Sequence, residues 1–182
     1  MTTDPLGSAL LVTARNAIGE RFGLARQVVD ALPELAESAA TFVTLTQQGQ
    51  LRGCIGSLEA YRPLATDVAE NAVAAAFRDH RFAPLGQDEL PRTRVEVSLL
   101  TPAEPFPVLS EADALARLRP GIDGLIFSYG RRRATFLPQV WESLPEPRQF
   151  LAQLKLKAGL PGDFWHDQVV LARYGVRKWK ET

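Results

Sequence analysis

The chain has 182 residues, 46% hydrophobic and 23% charged, which suits one sizeable domain or two small subdomains sharing a core. Twenty-one basic and twenty-one acidic residues cancel, so no overall charge draws in nucleic acid or an anionic membrane, and nucleic acid is disfavoured as a partner. One cysteine and two histidines exclude an intrachain disulfide framework and any multi-thiolate metal site, so neither a metal nor a cofactor is expected.

Met1 to Gly7 lack the basic start and apolar run of a signal peptide. No apolar stretch approaches the ~20 residues that span a bilayer, and the expected location is cytoplasmic. Asp4-Pro5 reads as a helix start; Leu10, Ala14, Ala17, Ile18 and Phe22 follow at helical spacing, and Gly23 ends the run. Phe42 to Thr46 alternates as a strand, Gln47 to Gln50 turns, and Leu51 to Leu58 returns as the second arm of a hairpin. Beyond Pro63, residues Leu64, Val68, Ala72 and Ala75 mark one face of an alanine-rich helix ending near Phe77. Arg94 to Leu100 reads as a strand, and Ser110 to Leu118 as a short helix with Ser110 and Asp113 at capping spacing.

The second half follows the same plan. Strands at Gly124 to Tyr129 and Ala134 to Leu137 flank a Gly130-Arg131-Arg132-Arg133 turn. Pro147 opens a helix carrying Phe150, Leu151, Leu154 and Ala158, with Gly159 as its stop, and Val169 to Val176 is the last strand. Each half reads hairpin, proline, helix, strand. The expected fold is therefore α+β, two intimately packed subdomains repeating one unit within a single domain of residues 1–182, with mostly antiparallel sheet.

The chemically unusual stretch is Leu51-Arg52-Gly53-Cys54-Ile55-Gly56. Strand alternation places Arg52, Cys54 and Gly56 on one face, with Arg52 and Cys54 about 6.5 Å apart. A guanidinium at that range favours a thiolate, the nucleophilic form, and the glycines admit a close ligand or backbone. Equally, a lone cysteine serves as a small buried hydrophobe, and a strand glycine marks a bulge or tight crossing. A cysteine nucleophile needs a base. His80 lies just past the second helix and His166 in a surface turn beside Trp165 and Asp167. The three arginines at 131–133 read as a solvated hairpin tip, and Trp141, Trp165 and Trp179 are too scattered for a base-stacking platform.

"LRGCIGSLEAYRPL" (51–64) resembles the signature of the AMMECR domain family, which includes protein A of the AmmeMemoRadiSam system. The likeness continues in "AAFRDHRFAPL", "VEVSLLTP", "GIDGLIF", "FLPQVW" and "FLAQLKLKAGLP", in the family's order. It implies an α+β fold of two subdomains with the signature near the cleft between them. It also implies genomic company with a radical S-adenosylmethionine (radical SAM) protein and a Memo-like protein. The matched residues are Arg52, Gly53, Cys54, Gly56, Glu59, Asp79, Arg81, Glu96 and Gln139. These are the expected cleft residues, with Cys54 the catalytic candidate. The family has Asp-Pro-Arg-Phe where this chain has Asp79-His80-Arg81-Phe82, which rules out a Cys54–His80 dyad as shared machinery. Some relatives carry a second cysteine within the segment matching Gln153 to Lys157, and this chain has none. The expectation is an accessory or substrate-presenting partner of the radical SAM and Memo-like proteins. The alternative is an enzyme acting on a small molecule or protein through Cys54 and Arg52.

Overall fold

The computed structural model describes residues 4–182; residues 1–3, the start of the stretch read for a leader, lie outside the described residues. The elements run α1 (Pro5–Glu20), β1 (Ser38–Ala39), β2 (Thr41–Gln47), β3 (Gln50–Gly56), β4 (Arg62–Pro63), α2 (Leu64–Phe77) and β5 (Thr93–Leu100). They continue with β6 (Glu104–Pro105), α3 (Glu111–Arg117), β7 (Gly124–Tyr129), β8 (Arg132–Phe136), α4 (Pro147–Lys157), β9 (Val170–Tyr174) and β10 (Val176–Lys180). They divide into two compact units: the chain up to Leu100 together with Arg177–Thr182, and Thr101–Val176.

In the first unit, α1 starts where Asp4 accepts a hydrogen bond from Leu6 N at 3.1 Å and Pro5 fills the first turn. The β2–β3 hairpin turns through Gln48 and Gly49, both at positive φ, as a right-twisted two-residue connection requires. The sheet order is β10-β5-β2-β3, with β2 antiparallel to both β3 and β5. One face buries Val43, Leu45, Val95 and Val97 with Leu10, Ala14 and Ile18 of α1 and Val68, Ala72 and Ala75 of α2. Each large apolar side chain so buried contributes about 1.5–3 kcal/mol. The alanines of α2 let the helix lie close to the sheet, and Gly53 completes that approach. A Cβ at Gly53 would run into the carbonyl oxygen of Ala75, which is helix backbone and has no freedom to yield.

The second unit has sheet order β6-β9-β7-β8 with antiparallel pairings. Its core holds Leu125 and Phe127 of β7 with Phe150, Leu151 and Leu154 of α4, and the Trp141 and Phe150 rings stack at 3.7 Å. The hairpin–helix–strand unit thus occurs twice. In each case the strand after the helix (β5, β9) pairs with the first arm of the hairpin (β2, β7). The fold is α+β. No helix among the described residues is long and apolar enough to cross a membrane.

Several elements differ from the sequence reading: the short strands β1, β4 and β6 were not expected, and the C-terminal strand is arranged differently. The last strand expected over 169–176 is β9, which ends at Tyr174, and past Gly175 the chain forms a further strand, β10, that was not expected. After the break the chain joins the first unit's sheet beside β5. Trp179 of β10 reaches that unit's core, and its Nε1 donates to Asp4 Oδ2 at 2.9 Å.

Gly53→Ala is expected to cost about 1–3 kcal/mol in chemical denaturation, because the added methyl meets fixed backbone. Gly19→Ala in α1, whose Cβ would meet only Leu24 at ordinary contact distance, is expected to be neutral or slightly stabilising. Equal midpoints for the two variants would contradict the tight β3–α2 crossing.

Candidate functional site

Between Leu45 and Thr46 the pairing with β3 shifts: Leu45 opposes Gly53, Thr46 opposes Leu51, and Arg52 is the extra residue of a bulge. Strict alternation would have set Arg52 beside the Cys54 side chain. Instead its Nε and Nη2 meet Glu89 Oε1 and Oε2, each at 3.0 Å, the bidentate geometry in which guanidinium and carboxylate bind best. Glu89 Oε1 also accepts from Gln47 Nε2 at 3.0 Å, and Gln47 donates to Thr93 Oγ1. Gln47 and Thr93 are cross-strand partners in alternation with the core residues Leu45 and Val95. Arg52 is therefore built into the rim of the core face, and the shared face expected for Arg52 and Cys54 is corrected by the bulge. Arg52 also lies 5.8 Å from the Phe82 ring centroid, and among the described residues its Nη1 is buried without a hydrogen-bond partner.

Cys54 opposes Thr44, which opposes Glu96 on β5, so the three form a row across the other face of the sheet. Thr44 Oγ1 donates to Cys54 Sγ at 3.3 Å, and the thiol is half-buried. Two strand spacings put Glu96 about 9–10 Å from Cys54, Cα to Cα. Its carboxylate faces Lys178 Nζ on β10 at 4.0 Å, not the thiol.

β3 is an edge strand, and the peptide groups of Cys54 point away from β2. Asp79 and Arg81, just past the end of α2, satisfy both. Asp79 Oδ2 accepts from Cys54 N at 2.9 Å, and Arg81 Nη2 donates to Cys54 O at 3.3 Å. The two side chains are themselves paired, Arg81 Nη2 to Asp79 Oδ2 at 2.6 Å and Nε to Oδ1 at 3.0 Å. Arg81, with the Cys54 and Arg81 amides, holds the Asp79 carboxyl well below the usual carboxylate range. Arg81 is raised chiefly by Asp79 and lies within electrostatic reach of Cys54. The guanidinium near the cysteine is Arg81, not Arg52.

The remaining expected residues divide. Gly56 faces Phe42 so closely that a Cβ would overlap its ring. Glu59 stands exposed in the loop after the signature. His80 is exposed between the two clamp residues, and among the described residues no hydrogen bond joins it to Cys54. Gln139 belongs to the second unit, exposed in the short turn Pro138–Glu142. His166 is also in that unit, its Nδ1 accepting from Gln168 N at 3.0 Å and its ring 5.2 Å from Tyr129. The arginine tip is engaged in part, with Arg132 Nη1 donating to Gly159 O at 2.6 Å.

A second polar cluster escaped the sequence reading. Asp67 is fully buried and accepts from Thr41 N, Thr41 Oγ1, Ser57 Oγ, Arg62 Nε and Asn71 Nδ2 at 2.6–3.0 Å. Arg62 also pairs with Glu70. This network fastens both ends of the loop 57–62 to α2. Its sequence signal is Asp67 and Asn71, four apart, beside the apolar stripe of Leu64, Val68 and Ala72.

The AMMECR1 family model matches residues 11–179. A protein of Methanothermobacter thermautotrophicus is 41% identical, over 88% of this chain and 86% of its own. One from Thermotoga maritima is 38% identical, over 88% and 89% respectively. The crystal structure of an uncharacterized protein from Pyrococcus horikoshii matches with a TM-score of 0.83 at 33% identity, covering 98% of this chain and 93% of that one.

Arg52, followed by the Gly86 amide and Gln47, lowers the Glu89 carboxyl from 4.5 to about 2. A depressed carboxylate contributes stability that is complete above about pH 4.5 and is lost as pH falls toward 2; Asp79 acts in the same direction. Glu89→Gln is expected to be about 3 kcal/mol less stable at pH 7, since it strands the Arg52 charge. Its urea midpoint should also fall less steeply between pH 4.5 and 2 than that of the unaltered chain. Parallel pH profiles would contradict this role for the pair.

Proposed function

This chain belongs to the AMMECR1 family, and from that premise we propose that it is an accessory or substrate-presenting partner of a radical SAM protein and a Memo-like protein. The observation that carries this reading is how the signature's polar groups are used. Arg52 is bound to Glu89, Asp79 and Arg81 hold the edge of β3, and Gly53 and Gly56 are close-packed. Among the described residues the hydrogen bond at the thiol comes from a threonine hydroxyl, which is no general base at neutral pH. A motif spent on holding a strand rigid suits a binding scaffold better than a nucleophile. The identity of the two partners rests on the resemblance of the signature and its companion segments.

A second reading, an enzyme or enzyme subunit acting on a small molecule or protein through Cys54, is favoured by one feature. Arg81 Nη2 donates to the Cys54 carbonyl at 3.3 Å, beside a half-buried thiol, and would attract an anionic group. In that reading Arg81 takes the place first given to Arg52.

The two readings separate on one substitution. Cys54→Ala is expected to bind the purified radical SAM and Memo-like proteins within about twofold of the unaltered chain in calorimetric titrations. Alkylation of native Cys54 at neutral pH should be no faster than that of a free thiol in a peptide. Rapid alkylation, with loss of the pathway's output in the folded Cys54→Ala variant, would favour the enzyme.

A further inference from the structure

The turn that closes α1 ends at Gly23, whose φ of 71° lets Leu24 N reach back to Gly19 O at 3.1 Å. From there to Leu32 the chain is neither helix nor strand, and residues 23–28 are all exposed, Val28 at 92%. The buried Asn16 of α1 fixes the middle of this segment. Its Nδ2 donates to Gln27 O at 2.9 Å, and its Oδ1 accepts from Gln27 N at 2.8 Å. Both peptide groups of one residue facing the same side is the pattern of an extended chain, and Leu32, at φ −116° and ψ 135°, is extended too. The peptide groups of Arg26, Val28 and Asp30 alternate with those of Gln27 and so turn away from α1. Among the described residues no hydrogen bond reaches them. Asn16 supplies one side of a β-ladder, and the other side stands open.

We propose that this segment is a self-pairing edge, at which a second copy of the chain adds its own residues 26–30 as an antiparallel strand. The segment is complementary to itself in one register. Centred on Val28, the two copies exchange both Val28 hydrogen bonds and set Arg26 of each opposite Asp30 of the other. Centring on Arg26 or on Asp30 would instead set like charges face to face. Arg26, Val28 and Asp30 share one face of the strand and all are exposed, so the two Val28 side chains meet between the two ion pairs. Arg26 already holds Glu20 at 2.8 Å, but that pair is open to solvent and worth little. Its guanidinium has donors enough for both carboxylates. No proline or lysine, the residues that keep exposed edges apart, lies between Gly23 and Leu32. So short a ladder buries far less than the ~1,000 Å² of a stable interface, and the dimer is therefore weak and reversible.

Sedimentation equilibrium of the full chain over about 10 µM to 1 mM tests the pairing. The unaltered chain should dimerise. Val28→Pro deletes the central donor without breaking a hydrogen bond of the monomer, and should weaken the dimer about 30-fold or more. Arg26→Asp and Asp30→Arg, each alone, set like charges opposite one another and should weaken it about 10-fold. Mixed together, those two variants restore both opposite-charge pairs and should recover the unaltered affinity to within about threefold. All three should keep the unaltered chain's thermal midpoint, as substitutions at solvated positions do. A chain that stays monomeric throughout overturns the proposal, and so does a dimer indifferent to Val28→Pro. Charge variants that weaken the dimer yet fail to complement each other overturn the Val28-centred register. A monomeric chain whose Val28 amide becomes protected from exchange only when the radical SAM or Memo-like protein is added gives the edge to another partner, and overturns self-pairing.

Discussion

Every edge strand leaves a row of peptide groups without a partner, and β3 meets this constraint at the residue that defines its signature. The N–H and C=O of Cys54 face away from β2, and the neighbouring side chains Asp79 and Arg81 receive them. A carboxylate accepting from the amide and a guanidinium donating to the carbonyl imitate a paired strand two residues long. Because the two are also paired with each other, the mimic is internally neutral and geometrically fixed. The end of α2 is thereby tied to the edge of the sheet at the point where Gly53 lets the helix backbone come nearest.

From that constraint the rest of the signature acquires definite work. The bulge at Arg52 turns its side chain toward Glu89 and ties the segment after α2 to the rim of the core. Immediately downstream, the Asp67 network takes over the fastening and carries it through Arg62 to the start of α2. Three ionic clusters thus follow one another along a short stretch of chain, each anchored to the same helix or its flanks. Pairs this well hydrogen-bonded add less to net stability than their number suggests, since desolvation offsets much of the attraction. What they confer is a single conformation for the strand and the loop after it.

Much of this fold was legible in the sequence. Period-3.6 apolar spacing located α1, α2 and α4, and the repeated hairpin–helix–strand plan was visible in both halves, whereas the order of strands in each sheet was not. The misreadings share a cause. The bulge at Arg52 depends on how β3 registers against β2, which local alternation does not encode. The stop of β9 at Tyr174 and the further strand β10 depend on which sheet each piece joins. Lys155, fully buried against Glu111 and the Trp165 ring, lies beside the apolar stripe of α4 with its counter-charge 44 residues away. Asp67 likewise collects its partners from β2, the loop and its own helix. Of the contacts around the signature, the sequence singled out the stretch and named Asp79 and Arg81, which clamp Cys54. It assigned the wrong arginine to the cysteine because the partner came from the far end of α2.

The clamp on β3 is tested most directly by amide hydrogen exchange at Cys54, measured in the unaltered chain and in Asp79→Ala. The account predicts a protected Cys54 N–H despite its place on an edge strand. Removing the carboxylate should speed its exchange about 10- to 100-fold, with the amides of β2 little changed. A Cys54 amide that exchanges freely in the unaltered chain, or at the same rate in both proteins, would contradict it.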